Sequence, residues 1–253
     1  VTRVAREIAA GNLDVSIDPK SELDVLGQSL QQMITNIRTV TQENEGRVWQ
    51  STGLATLNNV MQGEQDIPTL SDNVITQLCE YLGAMVGALY VREDDHMKLV
   101  GTYAYVRRKN LANEFKIGEG LIGQAALEKK PIVVSHVPDD YVAVTSGLGE
   151  HSPSAIMVCP FIHEGEVKGV VELGTLDALS DTALEFVDNS MNNIAIAFNT
   201  AYARTRMDTL LPASQEQTEE LRAQEEELRV TNEELQSQTE TLRQSEAKLQ
   251  EQQ

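Results

Sequence analysis

The chain has 253 residues, 41% hydrophobic and 23% charged, which suits one compact domain with helical extensions or two small domains. Its 39 acidic against 20 basic side chains leave a net charge of −19, so charge-driven binding to nucleic acid or to an anionic membrane surface is disfavoured. The only two cysteines, Cys79 and Cys159, sit in apolar runs and fit a reducing setting, and no apolar stretch approaches the roughly 20 residues that span a bilayer.

The chain opens at Val1 without Met, as expected of a piece of a longer polypeptide, and Val1, Val4 and Ile8 already have helical spacing. Gly11 ends that helix, and the alternation Leu13, Val15, Ile17 before Pro19 predicts an extended connector. From Ser21, a plausible N-cap, Leu23, Leu26, Leu30, Met33, Ile37 and Val40 fall at alternating steps of three and four, the pattern of a two-row coiled-coil seam. Asn44 and Val48 then follow at two successive steps of four, a stutter that changes the register.

Strand signals and most of the glycines lie between about Leu54 and Thr200. Leu70, Val74, Leu78, Cys79 and Leu82 predict a helix ending near Gly83. GALYVRE and MKLVGTYAYV about Asp94-Asp95 read as a hairpin, as do AIMVCPFIHE and EVKGVVELGT about Gly165, and a helix from about Asp181 to Arg206 follows. The order predicts an α+β fold, an antiparallel sheet with helices on its faces.

From Ala213 to Gln253 there is no Gly, Pro or aromatic residue, and Leu221, Leu228, Leu235, Leu242 and Leu249 recur every seven residues. The second core row holds Glu225, Asn232, Thr239 and Glu246, so the seam has one apolar and one polar stripe. Each buried leucine contributes roughly 1.5–3 kcal/mol and the polar row little, which makes a marginal coil that a modest upstream bias could re-pair. Both helical ends carry seams that need a partner, so a parallel homodimer is expected, with Asn232 opposite its twin.

Chemistry is sparse. His96, His136, His151 and His163 show no metal-ligand spacing, and no metal or cofactor is expected. His163-Glu164 runs into Gly165 and reads as a turn, and no nucleophile signature accompanies any Ser, Cys or Thr, so no catalytic residue is assigned. Gly118, Gly120 and Gly123 permit a tight loop, but no GK[ST] follows them, which argues against a phosphate cradle.

Residues 1–40, with AAGNLDVSI followed by SELDVLGQSLQQM, resemble a HAMP domain, a parallel four-helix linker just inside the membrane of bacterial receptors. The resemblance implies that Leu13 and Ile17 anchor the connector and that Glu22 opens the second helix. Asp24 and Gln31 depart from the residues common in that family. The runs GEGLIGQAALEKKPIVVSHVPDDYV and VCPFIHEGEVKGVVELGT resemble a GAF domain of the kind found in bacterial sensor kinases. That resemblance implies a small-molecule pocket between sheet and covering loops, for which Tyr103, Tyr105, Tyr141, Thr145, Ser146, Met157, Cys159 and Glu172 are the candidates. The covering loop TSGLGEHSP lacks the cysteine of bilin-binding relatives, and two cysteines are too few for the sulfoxide-reducing type.

The closing segment resembles the linker to the dimerisation and phosphotransfer helices of hybrid histidine kinases. The implied organisation is a HAMP-like linker over 1–40, a connecting signalling helix over 41–53, a GAF domain over 54–206 and a coiled-coil linker over 207–253. On this reading the chain is the relay section of a membrane-anchored sensor kinase on the cytoplasmic side of the inner membrane, with a transmembrane segment upstream. Asn44 and Asn232 mark its adjustable junctions. Its partners would be a second copy, the kinase and receiver domains of the same polypeptide or a response regulator, and a small-molecule ligand. The alternatives are the same modules in a chemoreceptor or cyclase, or a ligand-binding GAF module with no kinase partner.

Overall fold

The computed structural model describes residues 6–7, 10, 15, 25–104, 113–135, 137, 144–146 and 149–251, without the side chains of 144–146, 149, 150 and some positions late in the final helix. The chain divides into two compact units, Val1–Asn199 and Thr200–Gln253.

In the first unit, α1 (Val25–Val60) is one uninterrupted helix of 36 residues, so the expected stutter and the boundary at 53/54 both fall inside continuous helix. Leu13, Ile17 and Glu22 lie outside the described residues, although the Val15 carbonyl accepts a hydrogen bond from Arg38 at 3.2 Å. The next helix, α2 (Ile67–Leu82), starts where the Asp66 carboxylate accepts from the Thr69 N–H at 2.9 Å. It stops at Gly83, whose φ of +67° continues the chain in a left-handed conformation that glycine adopts without strain.

The strands are β1 (Val86–Glu93), β2 (His96–Tyr103), β3 (Glu114–Lys116), β4 (Ile132–Ser135), β5 (Val144–Ser146), β6 (Gly149–His151), β7 (Ala155–His163) and β8 (Glu166–Thr175). Six of them form an antiparallel sheet in the order β3-β2-β1-β8-β7-β4, while β5 and β6 pair separately. The β7–β8 hairpin turns at Glu164 and Gly165, both at positive φ, so His163 ends a strand and does not start a helix. A nine-residue helix, α3 (Gly120–Glu128), lies between β3 and β4.

Strand alternation gives the sheet two faces. Gly87, Leu89, Gly101, Cys159, Phe161, Val171 and Leu173 face α2 and the first part of α4 (Asp181–Glu251). A Cβ on Gly101 would stand 2.7 Å from the Ser71 backbone, and the rings of Phe161 and Phe198 are 5.0 Å apart. The opposite face packs Ala88, Tyr90, Met97, Leu99, Ile156, Val158 and Val170 against Ile122, Ala125 and Ala126 of α3.

The helix expected to end near Arg206 instead continues as α4 to Glu251 and contains Pro212. Pro212 has no N–H to offer the Asp208 carbonyl, so one rung of the ladder is missing there. Within the second unit Leu221, Leu228, Leu235 and Leu242 are 54–64% exposed, and Asn232 is exposed as well.

Candidate functional site

Register decides which predicted pocket residues share a surface. Glu172 on β8 stands opposite Ala88 on β1 and Val158 on β7, which places it on the α3 side of the sheet. Met157 pairs with Leu173 and Cys159 with Val171, so both point to the α2 side and are core residues, 6% and 3% exposed. Tyr103 pairs with Gly87, a position facing Ile75 and Cys79 of α2, and belongs to that side too. Alternation therefore puts Tyr103, Met157 and Cys159 on the face away from Glu172, and the candidates do not share one surface. Tyr105 and Tyr141 lie outside the described residues, and Ser146 and Thr145 are placed in β5 by backbone alone.

Glu172 itself is unusual. It sits on one of the two central strands among apolar neighbours and is half-buried. Burial pushes its carboxyl up to about 7, opposed by a hydrogen bond from the Tyr90 hydroxyl. Tyr90 is 4% exposed and is held edge-on against Phe115 at 5.7 Å. A carboxylate in such surroundings is a candidate for binding. Neither cysteine is a nucleophile, because burial, reinforced by Glu80 at Cys79 and by Asp188 at Cys159, pushes both thiols up to about 12.

A second constellation joins three helices. Trp49 on α1 contacts Tyr81 of α2 at 4.9 Å and Phe186 of α4 at 5.4 Å, and those two rings are 5.1 Å apart. The Tyr81 hydroxyl donates to the Trp49 carbonyl at 2.6 Å, and the Gln50 amide donates to the Thr182 carbonyl and the Glu185 carboxylate at 3.1 and 2.9 Å. One turn on, Gly53 is fully covered: a Cβ there would stand 2.7 Å from Phe186 Cε2 and nearer still to Tyr81 Cε1. The spacing Gly46, Trp49, Gln50, Gly53, Leu57 is one helical stripe, and it was the available signal. Asn44 is exposed and lines, with Val48, Trp49 and Tyr81, a groove of about 520 Å³ beside this clamp.

Among the described residues no group of side chains could hold a metal ion, and no helix is long and apolar enough to cross a membrane.

No curated protein matches the chain. Solved structures similar to it include the GAF domain of A. aeolicus nlh2 in an inactive state, 19% identical at a TM-score of 0.50 over 61% of this chain and 98% of that one. The GAF domain of a phosphoenolpyruvate-protein phosphotransferase from Coxiella burnetii is 20% identical at 0.52, over 62% and 96%. A free methionine-R-sulfoxide reductase from Neisseria meningitidis, solved with its substrate, is 17% identical at 0.51, over 63% and 93%. These likenesses establish the curled antiparallel sheet with flanking helices. The HAMP domain family matches residues 1–39 and the GAF domain family residues 64–199. With more than half of its length in that second match, the chain belongs to the GAF domain family and carries a HAMP module ahead of it.

Proposed function

We propose that the chain is the sensing and relay section of a membrane-anchored two-component sensor histidine kinase. In this reading the HAMP module receives motion from a transmembrane segment upstream, the GAF domain modifies it, and the C-terminal helix delivers it as a parallel homodimer to a kinase core. The phosphorelay to a receiver domain or response regulator follows downstream, on the cytoplasmic side of the inner membrane. The observation that carries the reading is α1, which runs without interruption from the HAMP-matched residues into the aromatic clamp of Trp49, Tyr81 and Phe186. A rigid helix fixed to a packed core at one end passes rotation or translation at its other end into that core.

The exposed heptad leucines of the second unit support pairing, since a single copy leaves them in water. Glu172 is the proposed ligand-contacting residue of the GAF domain.

The test is coupling between Leu13 and Trp49 in the whole polypeptide, read as histidine autophosphorylation. Leu13→Ala should shift the phosphorylation level in the wild-type background and have no further effect in a Trp49→Ala background. Equal and additive effects would refute relay through the clamp, and an output other than phosphohistidine would move the modules to a chemoreceptor or cyclase.

A further inference from the structure

Where β8 gives way to α4, the surface opens into a cleft of about 690 Å³, within the roughly 300–1,000 Å³ usual for small-molecule sites. Its walls come from α1, the end of α2, the β8–α4 connection and the first turn of α4, on the other side of Trp49's helix from no part of the Glu172 face: Glu172 is not among its lining residues. The cleft therefore stands apart from the ligand reading given to Glu172 above.

The walls are mixed in character. Trp49, Leu82, Leu176 and Leu179 supply an aromatic and aliphatic surface, of which Leu176 is 44% exposed. The charged side chains of the lining are Glu45 and Asp177, both acidic and both exposed. Among the described residues, neither carboxylate takes part in an ion pair or a side-chain hydrogen bond. The backbone adds to the same sign, because α2 ends at the cleft with no basic residue in its last turn to offset the partial negative charge of its final carbonyls. The N-terminus of α4 has the opposite sign, but Ser180 caps it, accepting from the Ala183 N–H at 3.3 Å, and Asp181 stands in its first turn. The balance favours a positive charge. A bare metal ion is not matched, since no group of side chains among the described residues could hold one, whereas an indole is the ring that best attracts an organic cation.

We propose that this cleft binds a small organic cation, an amine or amidinium group on an apolar body, with Glu45 and Asp177 pairing its charge and Trp49 packing against it. A molecule held there touches α1 and α4 together, beside the clamp that joins them.

Trp49 is the sole tryptophan, so its fluorescence reads the cleft directly in the full chain, titrated with benzylamine and with its neutral isostere benzyl alcohol. Benzylamine should change the emission saturably, and benzyl alcohol should bind at least about fivefold more weakly. Exposed ion pairs are individually weak, so Glu45→Gln and Asp177→Asn should each weaken benzylamine about two- to fivefold, and the double variant should bring it down to the level of benzyl alcohol. A Cβ at Gly46 meets only Thr182, at 3.5 and 3.8 Å, so Gly46→Leu fits the helix and should fill the cleft, removing the binding. Benzylamine binding that is unchanged in the double variant, or retained in Gly46→Leu, would place the molecule elsewhere and overturn the proposal. Equal affinity for the two probes, or no saturable response to benzylamine up to the millimolar range, would overturn it as well. The two carboxylates are exposed, so their variants fold as wild type and decide the matter whatever Gly46→Leu does to stability.

Discussion

Two glycines on the same face of α1 should respond to alanine with opposite signs. In a helix interior, Gly→Ala ordinarily gains about 0.5–1 kcal/mol from backbone entropy. At Gly46 the new Cβ would stand 3.5 Å from Thr182 Cγ2, an ordinary contact, so G46A should keep that gain. At Gly53 it would stand 2.7 Å from Phe186 Cε2 and closer to Tyr81, about an ångström inside normal contact. Neither ring can swing away freely, because each is packed against the other and against Trp49. Overpacking of this kind costs about 1–3 kcal/mol, so the propensity gain is outweighed and G53A should lose about 1–2 kcal/mol net. Urea unfolding followed by tryptophan fluorescence reads the junction directly, since Trp49 is the sole tryptophan. A G53A protein as stable as wild type, or more so, would refute close packing of α1 on the domain and with it the clamp as a relay.

The remaining predictions concern charge and pairing. Because the Glu172 carboxyl is raised from 4.5 to about 7 in the folded chain, its unfavourable contribution is absent below about pH 4.5, grows as pH rises, and is complete above about 7. Glu172→Gln should accordingly be more stable than wild type at pH 8, by up to about 3 kcal/mol, and indistinguishable at pH 4.5; an equal difference at both pH values in urea titrations counts against the raised carboxyl. With both native thiols buried and protonated, a cysteine introduced as Leu228→Cys should form an intermolecular disulfide under mild oxidation, and Val230→Cys, two positions outward, should not; equal yields would count against the leucine seam. Asn232→Leu should raise the melting temperature of the C-terminal helix in circular dichroism, as the polar row of the proposed dimer seam gives way to apolar burial of roughly 1.5–3 kcal/mol per leucine; an unchanged melt would argue that position 232 is not at a core.

Much of the middle domain was legible because its punctuation is local. Gly83 and Gly165 occupy positive-φ positions, and Asp94 allows the left-handed turn of the first hairpin, so helix end and both hairpins follow from single residues. The faces of the candidate ligand residues are less legible: alternation alone separates Glu172 from Val171 and Leu173, but assigning Met157 and Cys159 requires the pairing of β7 with β8, which depends on the irregularity between Phe161 and Ile162. The end of the last helix was misjudged for a different reason. Pro212 suggests a stop, but a proline can be carried inside a long helix at the loss of one hydrogen bond, and Met207, Leu210 and Leu211 keep helical spacing up to it. The clamp was invisible because its three rings are distant in sequence, and Trp49 lies in an otherwise polar stretch whose glycines suggest weakness when they in fact provide clearance.

The one-residue alternation along β8 has an evolutionary consequence. Val171 and Leu173 lie on the face that holds the helices, while Glu172 between them lies on the opposite face of the sheet. On the proposed reading of Glu172, exchanging residue 172 changes what the domain recognises without altering a side chain on the face that packs α2. The proposed recognition and the packing of the helices would then be written on alternate letters of one strand, so that one can diverge while the other is kept.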